Sequence, residues 1–275
     1  MTLLLEIQDL IDYSFPAVIA ALQDRHEQQP TGEPMASYRT HLATSTAVGA
    51  GYATTGYAVG LPLSTCALAG GLCSLAGILP DLDSKSGIPV REAVSLTAAV
   101  VPLLMVDRFL LMGWSHEMIV LVGGLIYLAI RFGMVEIFRR YTVHRGMWHS
   151  IPAALIAGTV TFLICGCPEI HLRWYKAGAV FTGYLAHLVL DELCSIEWNS
   201  GRIRFKKSFG TACKLWSRRN LWANISTYGK LGLFILLAIG DPLVAHKLPQ
   251  QDTEYARTAR QLLEDAVKQS DKLIR

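Results

Sequence analysis

Between His41 and Asp81 the chain runs for 39 residues without a single Lys, Arg, Asp or Glu. That is too long for one crossing of a bilayer core, which takes roughly 20 apolar residues. Gly60-Leu61-Pro62 offers a natural turn that divides it into two helices. Small residues recur on both sides of the turn (Gly49, Ala50, Gly51 and Gly56, then Gly70, Gly71 and Gly77), as suits helices packed closely inside a membrane. The whole chain agrees: of 275 residues, 52% are hydrophobic and 17% charged, against roughly 25% charged in soluble domains. A disordered chain and a highly charged nucleic-acid binder are excluded on these grounds, and direct nucleic-acid binding is not expected.

Five more apolar stretches follow, at Ala93 to Trp114, Met118 to Ile130, Ser150 to Pro168, Ala177 to Leu193 and Leu231 to Val244. The predicted fold is all-α, a multi-pass transmembrane bundle of about six or seven membrane segments. Residues 1–40 form an N-terminal cytoplasmic segment in this reading. Its Glu6, Asp9, Asp12 and Asp24 do not resemble the basic start of a cleavable signal peptide. Residues 41–248 make the helical membrane domain. Within it, residues 196–230 form a basic link, since Arg202 to Lys230 holds eight basic residues and no acidic one. In residues 249–275, Tyr255, Ala259, Leu262, Leu263, Ala266 and Val267 recur among charges as in an amphipathic helix. That helix either docks on a partner or the membrane or is a solvated terminal helix, and the basic link either binds a protein partner or anionic lipid or is a plain positive-inside loop. The six cysteines contain no Cys-x-x-Cys pair and read as buried, hydrophobe-like side chains.

Basic residues mark every second exit: Lys85 and Arg91, then Arg131, Arg139, Arg140 and Arg145, then the block from Arg202 to Arg219. The positive-inside rule puts these exits in the cytoplasm. His41 then enters the first segment at that face, and Asp81 and Asp83 leave the second there. His144 and His149 precede the fifth, and His187 and Asp191 lie near the cytoplasmic end of the sixth. Four separated pieces of chain thus bring His and Asp to one level of one membrane face. His187 and Asp191, four apart, share a helical face. In apolar sequence they are either a functional pair or a hydrogen bond tying helices together. An extended Asp81-x-Asp83 turns both carboxylates to one side, as a divalent metal or a solvated turn would have them. Ser150 and Pro152 place a helix start just after His149. Arg145 is suited to pairing a phosphate or to anchoring the topology. His26, His116, His171 and His246 have no such company and read as solvent or interface residues.

The order His41, Leu-Pro-Asp-Leu-Asp, His-Arg-Gly-Met-Trp-His-Ser and Gly-Tyr-Leu-Ala-His-Leu-Val-Leu-Asp resembles the YdjM/YbcI-type family, over roughly His41 to Ser195. These are bacterial inner-membrane proteins described as membrane-bound metal-dependent hydrolases, some as LexA-binding. Trp148 departs from the pattern, which carries Thr there. The resemblance implies a multi-pass protein of the bacterial inner (cytoplasmic) membrane with a metal site at His41, Asp81, Asp83, His149, His187 and Asp191.

A membrane-embedded metallohydrolase is therefore the leading expectation. Mixed nitrogen and oxygen ligation suits zinc, manganese or iron. Asp83 is the preferred general base, with Asp191 an alternative, and His144 the candidate acid toward a leaving group. A site level with the lipid headgroups makes membrane lipid or a lipid-linked phosphoester the expected substrate. The competing classes are a metal or proton transporter and a non-catalytic scaffold or regulator with a structural metal. No Gly-x-Ser-x-Gly or His-Glu-x-x-His occurs, so a serine esterase or zincin has no support.

Overall fold

The computed structural model describes residues 38–83, 87–134, 147–199, 202–205, 210, 213–217 and 220–241. The predicted N-terminal segment up to residue 37, the C-terminal amphipathic helix, His144 and Arg145 lie outside them. Among the described residues, seven α-helices run in the order α1 (Tyr38–Ala58), α2 (Leu63–Ala76), α3 (Gly87–Leu111), α4 (His116–Leu128), α5 (Ile151–Ile164), α6 (Ile170–Cys194) and α7 (Leu221–Ile239). A 3₁₀ turn at Leu79–Asp83 follows α2, and a π turn at Ala129–Met134 extends α4. An antiparallel hairpin pairs β1 (Ile196–Asn199) with β2 (Arg202–Phe205) and takes up the start of the basic link.

The predicted break falls where glycine and proline require it. Helix α1 stops at Ala58, Gly60 takes φ +90°, and Pro62 stands at the N-cap of α2. Ser150 caps α5 by accepting from the Ala153 N–H, with Pro152 in the first turn. The last helix differs from expectation. It begins ten residues before Leu231, because Asn220 caps it by accepting from the Ala223 N–H. Asn224 is buried in its first turn, hydrogen-bonded to both the N–H and the carbonyl of Ser217.

Helix α6 is the axis of the bundle. It packs on α1, α2 and α5, while α3 pairs with α4 and α7 lies on α5. Glycines bring the inner helices together. A Cβ at Gly49 would stand 2.5 Å from the Gly70 carbonyl, and one at Gly183 would collide with the carbonyl of Cys73. Helices α1 and α6 are further joined by a reciprocal clasp. The Tyr52 hydroxyl donates to the Tyr175 carbonyl and the Tyr175 hydroxyl to the Tyr52 carbonyl, both at 2.9 Å, with the rings stacked. Among the described residues, four stretches are long and apolar enough to cross a membrane: Leu63–Asp81, Ala93–Leu111, His116–Gly133 and Leu221–Ile239. Their exposed Leu103, Val120, Leu121, Leu125, Leu236 and Ile239 are what a lipid-facing surface requires.

Candidate metal centre

The antiparallel order of the inner helices decides which residues meet. The first turn of α1, the 3₁₀ turn after α2, the start of α5 and the last turns of α6 lie at one end of the bundle. They bring together His41, Asp81, His149, His187 and Asp191. Asp83 occupies the 3₁₀ turn in sequence, but its side chain lies outside the described part. Among the described His, Cys, Asp and Glu residues, two groups are close enough to hold a metal ion: His41, His187 and Asp191, and Asp81, His149 and His187. In each, the potential ligand atoms lie within 4.8 Å of one another.

His187 belongs to both groups. Its Nδ1 lies 2.7 Å from the Gly77 carbonyl, so that nitrogen carries the proton and donates it. The lone pair is thereby left on Nε2, which is buried and makes no hydrogen bond. Nε2 lies 3.7 Å from Asp81 Oδ1 and 3.6 Å from Asp191 Oδ2. A buried lone pair facing two carboxylates is unfavourable unless something positive sits among them. Fixing one imidazole nitrogen on a backbone carbonyl so that the other is bare is also how metal-binding histidines are commonly oriented. The donor set therefore fits a divalent ion. The two groups share His187 and so adjoin each other.

The other members surround that nitrogen. His41 stacks on His187, ring centres 3.8 Å apart, and its Nε2 lies 3.2 Å from Asp191 Oδ1. The His149 ring is tilted against that of His187, ring centres 5.8 Å apart. All three histidines are buried, whereas the side chains of Asp81 and Asp191 stay 26% and 15% exposed. The carboxylates thus form the rim and the imidazoles the floor, and approach from outside is over the rim.

Sequence reasoning passed over three supports of this cluster. Gly77 contributes only a backbone carbonyl, which has no sequence signature. The Trp148 indole N–H donates to the Leu79 carbonyl at 3.0 Å, and the Tyr184 hydroxyl donates to the Trp148 carbonyl at 2.6 Å. At the opposite end of the bundle lies a second polar cluster that it also passed over. There Asp241 Oδ2 accepts from Arg108 Nη2 at 2.7 Å and from Arg173 Nη2 at 2.6 Å. Arg173, almost fully buried, also donates to the Phe162 carbonyl and lies over the Phe162 ring. This cluster joins α3, α6 and the end of α7.

No curated protein and no solved structure matches the chain. The model of the family described as YdjM inner membrane protein matches residues 35–202, a range that holds all five clustered residues. The chain is a member of the YdjM inner membrane protein family.

Proposed function

We propose that this protein is a metal-dependent hydrolase embedded in the bacterial inner membrane, acting on a lipid or lipid-linked phosphoester at the cytoplasmic face. One observation carries the reading: the bare, buried Nε2 of His187 stands between the carboxylates of Asp81 and Asp191, with His41 and His149 beside it. Asp81, His149, His187 and Asp191 would hold the ion, with His41 bracing Asp191, and zinc, manganese or iron suits their nitrogen and oxygen donors. A bound divalent ion supplies polarisation of a phosphoryl oxygen and an acidified water. The chain supplies the rest. Gly77 fixes the His187 ring, His41 holds Asp191 by its Nε2–H, and the partly exposed Asp81 stands where a substrate enters. Asp83, two residues on, remains the proposed proton acceptor and His144 the proposed donor to the leaving group. The cytoplasmic placement is supported by the basic residues at alternate exits. Cysteine labelling at positions 83, 145 and 200 from the cytoplasmic side only is the expected result.

The test is element-resolved metal analysis of the purified wild-type protein beside His187→Ala, with turnover of a phosphoester panel on the same samples. Bound metal and turnover in wild type, with both lost in the variant, are expected. Wild-type protein without metal overturns the reading. Fully metallated protein that is inert toward phosphoesters, esters and amides replaces the hydrolase by a scaffold with a structural ion.

A further inference from the structure

Two of the proposed ligands come from segments that are far apart in sequence. Asp81 is on the 3₁₀ turn after α2, and His149 is on the approach to α5. Their relative position depends on what connects those segments, and Trp148 spans the gap. Its indole N–H donates to the Leu79 carbonyl, two residues before Asp81, and its own backbone leads directly into His149. The Trp148 carbonyl in turn accepts from the Tyr184 hydroxyl and from the Ser150 N–H at 3.1 Å. The Trp148 and Tyr184 rings meet edge to face, centroids 6.3 Å apart. Tyr184 is fully buried on α6, one turn before His187. The residues leading into the 3₁₀ turn are tied to α6, since Gly77 receives the His187 Nδ1–H, and the turn's own Asp81 N–H donates to the Ile78 carbonyl at 3.1 Å. A closed circuit results: α6 to Tyr184, to Trp148, to Leu79, through the turn to Gly77, and back to His187.

We infer that Trp148 is the positioning residue of the centre, setting the distance between Asp81 and His149 through its N–H to Leu79. The inference rests on the metal centre proposed above. An amide or hydroxyl side chain reaching the same carbonyl would do so without the planar body that packs on Tyr184. An apolar ring of similar size would keep the packing and lose the donor. Trp148→Phe therefore isolates the bond, and Tyr184→Phe removes one hydroxyl from the same circuit with the least disturbance to folding.

The measurement is titration of the purified protein in detergent with Co²⁺, read by its visible ligand-field absorption. Wild type is expected to bind and to give a defined spectrum. Trp148→Phe is expected to bind roughly 10–100-fold more weakly, as outer partners of metal ligands do, with altered bands because Asp81 is no longer held. Tyr184→Phe is expected at roughly the 10-fold end of that range. The exposed Trp174→Phe, at the opposite end of α6, should match wild type. The double variant separates positioning from general weakening. If Trp148 acts through Asp81, adding Trp148→Phe to Asp81→Asn costs little more than Asp81→Asn alone. Unchanged affinity and spectrum in both single variants, or fully additive losses in the double variant, overturn the inference while the metal centre stands. A wild type that takes up no Co²⁺ overturns both.

Discussion

His187 reaches the centre with its tautomer already set, and His41 does not. The Gly77 carbonyl holds the proton of His187 on Nδ1 and leaves Nε2 free for an ion. His41 gives its Nε2–H to Asp191, and its buried Nδ1 has no acceptor. Ligation through Nε2 would move the His41 proton to a nitrogen with nothing to receive it. His187→Gln is therefore expected to abolish metal binding, whereas His41→Gln, which keeps an N–H for Asp191, weakens it by roughly 10–100-fold. Metal titration of the two variants side by side checks the order. A second residue reports on the same corner. Burial, and then the carboxylates of Glu192 and Asp191, push the half-buried Cys213 thiol above its usual range. Because the thiolate is the reactive form, alkylation at Cys213 should be slower than at an open thiol near pH 8 and rise with further increase in pH. A divalent ion at Asp191 offsets part of the carboxylate field and should speed it, as mass spectrometry of the labelled peptide would register. At this scale the i,i+4 pair His187 and Asp191 was legible from spacing alone. Gly77 was not, because its contribution is a carbonyl that any residue possesses.

Among the elements, helices were read well where hydrophobicity is continuous and badly where a polar side chain folds inward. The turn at Gly60-Leu61-Pro62 and the start of α5 carry local signals that act through the backbone, and both are where they were expected. The first turns of α7 contain Asn224 and Lys230 and read as part of a polar link. Yet Asn224 is buried with both ends of its amide satisfied by Ser217, which a one-dimensional pattern does not reveal. Contacts between helices are equally hidden. Gly183 carries no local distinction from Gly71, but a methyl at 183 meets the Cys73 carbonyl and one at 71 meets nothing within 4 Å. Gly183→Ala should cost about 1–3 kcal/mol through forced separation of α2 and α6, and Gly71→Ala should be near neutral. Thermal unfolding in detergent distinguishes them.

At the scale of the molecule, two clusters of buried charge among the described residues lie at opposite ends of the bundle. One holds the His/Asp centre, and the other the Arg108–Asp241–Arg173 cluster, whose carboxylate serves two guanidinium groups. Replacing that carboxylate leaves Arg173 buried without its counter-charge, so Asp241→Asn should lower stability by about 3–5 kcal/mol. Metal content per folded molecule should stay at the wild-type level, measured on the surviving fraction after mild heating. Convergence of the first end was readable because alternate basic exits fix which helix ends share a face. The second end was not, since Asp241 lies near the end of the apolar stretch Leu231 to Val244 and no spacing links it to Arg108 or Arg173. The tyrosine clasp adds a mechanical consequence. Helices α1 and α6 run in opposite directions, and Tyr52 lies 11 residues beyond His41 while Tyr175 lies 12 residues before His187. At 1.5 Å per residue those arms measure about 17 and about 18 Å. The clasp therefore works as the pinned end of a caliper whose jaws are the two stacked imidazoles. Sliding α1 along α6 by one turn would break both tyrosine bonds together, so the jaws cannot fall out of level while the pin holds.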